Sequence, residues 1–208
     1  MKNLTIVSHP LVKHSLTILR DKKTTTDEFM RHADAVSLVI LIDALRGLRV
    51  QKKHIDTPLA GFDGKELRDD IVIIPILRAG LAMLSAFRRL VPSAPVGFIG
   101  LERDEQTAVA REYYKKIPSV IKGKTAIIVD PMLATGGSLD DTISAVKKLG
   151  AKKIIAACVI SAPEGIKRIT ERHPDVHIVT GCVDIHLNEK SYIVPGLGDF
   201  GDRYFGTV

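Results

Sequence analysis

The 208-residue sequence is short of cysteine, of aromatic residues and of long apolar runs, and each shortage closes off a class of protein. Its two cysteines, Cys158 and Cys182, lie inside separate apolar, β-like runs, so reduced core thiols are expected in place of a disulfide framework. A metal set drawn from His177, Cys182 and His186 fits no common zinc spacing, and strand alternation accounts for these residues better. The longest apolar run in the first half, residues 36–42, falls far below the roughly 20 residues that cross a bilayer, and no signal-peptide core precedes it. A soluble, cytoplasmic protein without a membrane partner is the expectation. Aromatic residues make up only 5% of the chain and no arginine-rich run occurs, so the net charge of +6 permits nucleic-acid binding without demanding it. No repeat or low-complexity segment is visible.

What is present is a basic N-terminal third and a strongly patterned remainder. Residues 1–55 carry 10 basic and 5 acidic side chains, against 20 and 19 in the rest, a field that would draw an anionic small molecule. Thr24, Thr25 and Thr26 ahead of Asp27 and Glu28 mark a helix start, and Phe29, Ala33, Val36, Ile40 and Ala44 recur at helical spacing before Gly47. Residues 1–50 therefore read as a helical segment, whose apolar stripe would meet a second copy in a homodimer or homotetramer. Residues 50–62 read as one strand, or two joined by turns.

From residue 71 the pattern changes. Apolar runs at 71–77, 95–101, 125–130, 153–161 and 176–182 alternate with amphipathic stretches near 80–90, 137–149 and 163–172. Runs that are apolar on both faces and separated by helices predict an α/β fold, an open and mostly parallel sheet flanked by helices. One domain over 1–208 is expected, with an α/β core at 71–182. The polar stretch 102–116, ERDEQTAVAREYYKK, is long for a connection in such a fold and reads either as a mobile hairpin flap or as a solvated insertion.

The segment IIVDPMLATGGS, residues 127–138, carries the first chemical signal. Ligands of open parallel sheets sit beyond the carboxyl ends of the strands, where helix N-termini present free N–H groups. Asp130 ends its strand at that edge, and Thr135, Gly136, Gly137 and Ser138 lead into a helix, a setting that suits a phosphate. The loop has no lysine and the chain has no G-x-x-x-x-G-K-[ST], so a monophosphate fits better than a nucleoside triphosphate. Ser138 would also cap the helix, with Asp141 as its distal partner. Arg78 directly follows the strand at 71–77, and the next helix has no acid in its first turn. Either a second phosphate offsets this arginine or solvent does.

The tail, YIVPGLGDFGDRYFGT at 192–207, contains two decoys. GLGDFG matches G-x-G-x-x-G, but seven following residues cannot complete a dinucleotide fold, and its DFG lacks every other part of a kinase. Its glycines at 196, 198, 201 and 206 and its aromatic residues argue for a docked segment whose main-chain groups read a flat heterocycle.

These residues resemble the type I phosphoribosyltransferases in the form found in the uracil enzymes. VDPMLATGGS resembles their phosphoribosyl-diphosphate (PRPP) loop; HPLVKHSLTILRD, IDTPLAGFDG, PILRAG, residues 100–103 and the tail resemble the same family in order, over essentially the whole chain. The resemblance implies transfer of the phosphoribosyl group of PRPP to N1 of uracil, giving UMP and pyrophosphate in pyrimidine salvage. It also implies Mg²⁺ carried mainly through PRPP and water, with no direct protein ligand, and a C-terminal hood at 183–208. PRPP would meet Arg78, Arg103, Asp130, Pro131, Met132, Leu133, Ala134, Thr135, Gly136, Gly137, Ser138 and Asp199. Uracil would meet Ile193, Gly198, Asp199 and Phe200. Arg78, Arg103, Asp130 and Asp199 would act catalytically through charge and positioning, without a covalent nucleophile. GTP activation, UTP or CTP inhibition and a homo-oligomer follow from the same likeness. Pro131 replaces the second acid common in type I relatives, and Phe200 replaces a small residue. A regulatory RNA-binding protein on the same scaffold is the alternative, and the tail argues against it.

Overall fold

The computed structural model describes residues 3–68, 70–103 and 110–207, and the side chains of 102–112 fall outside that description. In chain order the elements are Leu4–Ile6 (β1), Pro10–Arg20 (α1), Thr26–Leu45 (α2), Val50–Asp56 (β2), Gly61–Leu67 (β3), Ile71–Leu77 (β4), Gly80–Leu90 (α3), Phe98–Arg103 (β5) and Ala110–Lys116 (β6). They continue with Thr125–Val129 (β7), Met132–Leu133 (β8), Gly137–Lys148 (α4), Lys153–Ser161 (β9), Pro163–Arg172 (α5), His177–Val183 (β10), His186–Leu187 (β11), Ile193–Val194 (β12) and Phe200–Phe205 (α6).

The main sheet runs β1-β10-β9-β7-β4-β5-β6, with β8 paired to β9. Only the β5–β6 pair is antiparallel, so the sheet is mostly parallel, as its apolar runs predict. Strand alternation explains why both faces are covered. In β4, Ile71 and Ile73 join the core beneath α1, α2 and α3, while Val72, Ile74 and Ile76 join the core beneath α4 and α5. β7 divides the same way, with Ile127 and Val129 on one side and Ala126 and Ile128 on the other. The carboxyl ends of β4, β7 and β9 consequently point to one edge, from which the loop at 130–136 and the turn before α3 emerge.

Two expectations for the N-terminal segment need correcting. The segment is not wholly helical, because β1 extends the sheet in parallel with β10, Thr5 opposite Val179. The stripe Phe29, Ala33, Val36, Ile40 and Ala44 is buried in the chain's own core and not against a second copy. Residues 50–67 form the β2–β3 hairpin, two exposed seven-residue strands paired along their length. The expected flap has the antiparallel pair β5–β6 at its base, and its tip, 104–109, lies outside the described residues. Among the described residues, no helix is long and apolar enough to cross a membrane.

The tail is docked. The Phe200 ring lies edge-on to Phe29 with centroids 5.1 Å apart, and Tyr204 Oη donates to Asp34 at 3.1 Å. Phe200, 1% exposed, thus packs its ring into the core under α2, and the residue also forms part of the wall of a cavity.

Candidate active site

Asp130 follows β7 directly, and its N–H donates to Ala157 O at 3.2 Å. The loop beyond is tied to β9: Pro131 O accepts from Val159 and Ile160, both at 3.0 Å, and Leu133 O accepts from Ala162 at 2.8 Å. Pro131 therefore contributes a main-chain anchor through its carbonyl. Gly136, at φ +78°, caps α4, and Thr135 Oγ1 accepts from Gly137 N at 3.5 Å. The capping role expected of Ser138 and Asp141 is not what forms. Ser138 lies within the helix, and the first-turn acid is Asp140. A left-handed residue is needed to turn the chain into α4, which glycine supplies and serine resists.

Asp140 is 1% exposed and accepts from Arg168, Arg172 and His173 at 2.8–3.0 Å. Burial pushes its carboxyl up, and these three donors outweigh burial and hold it below the usual carboxylate range. Arg168 Nη1 comes within 3.8 Å of the point a Cβ on Gly137 would occupy. A cation thus stands beside the lysine-free loop, held by a carboxylate of the helix that the loop starts. Sequence reasoning missed it, because nothing local to Arg168 marks it.

Asp130 faces a cavity of about 970 Å³ that it shares with Ala134, Ser138, Ile193, Gly198 and Asp199. Burial raises its carboxyl to about 7, opposed by the Met132 N–H that donates to it at 3.3 Å. Cys158, fully buried, has its thiol raised well above the usual value by burial and then by the charge of Asp130. A second cavity of about 490 Å³ is lined by Leu77, Arg78, Leu101 and Tyr113, and it shares Ala79, Asp199 and Gly201 with the first.

Arg78 reaches Asp202, Nη2 to Oδ1 at 3.1 Å. The anion that its position calls for is, in the free protein, a carboxylate of α6. Asp202 also accepts from Thr207 Oγ1 at 2.6 Å, and both partners depress its pKa, the threonine more. Asp199 caps α6 by accepting from Asp202 N at 2.9 Å and lines both cavities. Loop and tail residues therefore surround one cavity, and Arg78 and tail residues the cavity adjoining it. The backbone of Arg103 ends β5, and its side chain lies outside the described residues. His177 bonds Thr5 Oγ1 at 2.9 Å and Cys182 accepts from Arg20, so two of the three residues of the metal set are engaged elsewhere, and among the described residues no group of three or more His, Cys, Asp or Glu could hold a metal.

A model of the family described as uracil phosphoribosyltransferase matches residues 6–207. The chain belongs to the uracil phosphoribosyltransferase family. Proteins named uracil phosphoribosyltransferase from Campylobacter concisus and Oceanobacillus iheyensis are each 46% identical over 208 residues, covering 100% of both chains. A solved protein from Aquifex aeolicus superposes with a TM-score of 0.93 at 38% identity, over 97% of each chain. The Trypanosoma brucei adenine phosphoribosyl transferase, solved with AMP, pyrophosphate and ribose-5-phosphate, aligns at a TM-score of 0.60 and 15% identity, over 96% of this chain and 89% of its own. That likeness concerns the fold. Within the uracil phosphoribosyltransferase family, the chain is a phosphoribosyl-transferring enzyme built on the type I scaffold.

Proposed function

We propose that the enzyme joins N1 of uracil to C1 of the phosphoribosyl group of PRPP, breaking the C1–O bond to pyrophosphate and releasing the N1 proton. The observation that carries this reading is the pair of adjoining cavities, one lined by the 130–138 loop and the other by Arg78, that share Ala79 and the tail residues Asp199 and Gly201. The 5-phosphate suits the N–H groups of residues 135–138, with Thr135 and Ser138 hydroxyls beside them and the helix dipole behind. Ionised Asp130 suits the ribose hydroxyls. Arg78 and Arg103 suit pyrophosphate, and Asp199 the space between the two substrates. Main-chain groups of Ile193 and Gly198–Phe200 suit the acceptor, donor, acceptor edge of uracil. Cytosine presents a different pattern there and would strand buried polar groups.

The residues present fit a cation borne by the substrate. Among the described residues no group of three or more His, Cys, Asp or Glu could hold a metal, yet Asp130 and Asp199 both line the cavity and could bind its water shell. Mg²⁺ would neutralise charge on the pyrophosphate. What the chain itself supplies is positioning, worth roughly 7–11 kcal/mol when two reactants are held in reacting geometry. The exposed apolar residues of the β2–β3 hairpin, Val50, Ile55, Leu59, Phe62 and Leu67, suit contact with a second copy in a homo-oligomer.

PRPP binding requires Arg78 to exchange Asp202 for pyrophosphate. Arg78→Ala is expected to lower kcat/KM for PRPP by about tenfold to a hundredfold, the range of a charge-assisted hydrogen bond. The KM for uracil should change by less than threefold. Steady-state UMP formation with each substrate varied in turn measures both, and an unchanged kcat/KM for PRPP would remove Arg78 from the site.

A further inference from the structure

The base-reading residues sit on a short tail that has little regular structure of its own, so something else must fix its main chain. The two peptide groups before Gly198 are held by two guanidinium groups, that of Arg20 at the end of α1 and that of Arg203 on α6, which bonds carbonyls at the end of α1. Arg20 Nη1 donates to Gly196 O at 2.7 Å and to Asp184 Oδ2 at 2.8 Å, and Asp184 Oδ2 accepts from Gly196 N at 2.8 Å. Arg20 Nη2 donates to Asp184 Oδ1 and, at 3.2 Å, to Cys182 Sγ. The arginine–aspartate pair therefore holds both the N–H and the C=O of Gly196. Arg203 repeats the arrangement one residue on, with Nη1 donating to Leu197 O at 2.7 Å and to Leu19 O, while Nη2 donates to Asp21 O.

The chain between these anchors has no slack. Gly196 stands at φ +61°, and a Cβ there would come 2.1 Å from Ile193 O, so Ile193 and Gly196 are folded onto each other. Asp184 is 8% exposed. Burial pushes its carboxyl up, and the bonds from Arg20 and Gly196 N more than offset this, leaving a charged carboxylate. Burial also raises the Cys182 thiol to about 12, so it stays a neutral acceptor beside Arg20. A buried, hydrogen-bonded ion pair fixes geometry at the cost of desolvation. Removing one partner leaves the other uncompensated.

We propose that Arg20 and Asp184 are positioning residues for the nucleobase: they set the backbone of Gly196 and, through it, the orientation of the main-chain groups at Ile193 and Gly198–Phe200 that read uracil. The inference rests on the reading of those residues as the base site. It assigns to α1, which lines neither cavity, a share in base selectivity. Its signature is a split between substrates, since the PRPP loop is anchored on β9 and not on this pair.

The test is steady-state kinetics of Arg20→Gln, Arg20→Lys and Asp184→Asn, with KM and kcat measured for uracil and PRPP separately and with cytosine as competing base. The expected result is a tenfold or larger rise in KM for uracil and a reduced uracil preference, with KM for PRPP within twofold. Arg20→Lys should fall between, because one ammonium cannot bridge Gly196 O and both carboxylate oxygens. Lower thermal stability with an unchanged KM for uracil, or equal rises in both KM values, would overturn the proposal. Gly198→Ala, measured in parallel, separates this failure from that of the base site. A raised KM for uracil in Gly198→Ala alone refutes only the Arg20–Asp184 role; no change in any variant refutes the base site as well.

Discussion

Asp130→Asn is expected to lose activity and gain stability. The loss follows from charge. An ionised carboxylate accepting from ribose hydroxyls contributes about 1.5–3 kcal/mol per hydrogen bond, and an amide presents a weaker acceptor and a misdirected donor, so kcat/KM for PRPP should fall by about a hundredfold or more. The gain follows from burial, which lifts the folded-state carboxyl to about 7 from an ordinary 3.8. Because the folded value is the higher one, the native state keeps its proton after the unfolded chain has lost it. Stability is greatest below the ordinary value, declines as pH rises from about 4 to about 7, and is flat above. Asparagine never ionises and escapes that decline. The melting temperatures of the two proteins should therefore converge below pH 4 and separate by pH 8, with the variant higher. In the wild-type enzyme, kcat/KM for PRPP should rise with pH through a midpoint near 7, as the free enzyme's Asp130 ionises. Activity within threefold of wild type would show that the carboxylate contacts no substrate.

Gly165→Ala is expected to disable the loop at 130–138 from outside it. Gly165 lies in the first turn of α5, where an added Cβ would stand 2.3 Å from Ala134 O and 3.0 Å from two carbons of Leu133. The first contact is with backbone, so no rotamer change relieves it. Either the loop or the helix must move by about an ångström, and misplacement on that scale can cost a hundredfold in rate. The loop is held by main-chain hydrogen bonds of Asp130, Pro131 and Leu133 to residues 157–162, whereas α5 is locked through its side chains, by Ile166 and Ile169 in the core and by Arg168 and Arg172 on the buried Asp140. The loop should yield. A fall of about a hundredfold in kcat/KM for PRPP is predicted, with KM for uracil nearly unchanged. Gly47→Ala, whose Cβ would meet only the end of Lys153, serves as the neutral control. Wild-type kinetics with a lowered melting temperature would mean that α5 had moved instead.

How far the sequence reveals this protein depends on the range of each interaction. The strands β4, β7 and β9 were legible because burial on both faces leaves only apolar residues there, and the loop at 130–138 because small residues and hydroxyls after such a strand have few other uses. β1 escaped notice because three residues show no period, and only the pairing of Thr5 with Val179 makes them a strand. The Ser138 cap failed because local rules for helix starts assume an extended N-cap, whereas this loop enters its helix through the left-handed conformation of Gly136. The apolar stripe of α2 gave the right face and the wrong neighbour, since periodicity reports that a face is covered and not by what. Arg78 was found, but its partner Asp202 lies 124 residues away. Arg20 and Asp184 are 164 residues apart, and neither sits in a pattern that singles it out.

The central claim is that the loop binds PRPP while the tail chooses the base. The most direct measurement is PRPP- and Mg²⁺-dependent formation of nucleoside monophosphate with uracil, cytosine, thymine, guanine, hypoxanthine, adenine and orotate side by side. The account predicts UMP from uracil, with cytosine disfavoured by about 10⁴-fold, as expected where a mismatched edge leaves buried main-chain groups without partners. Comparable turnover of another base would contradict the tail assignment, and no product from any base, with or without GTP, would contradict the account as a whole.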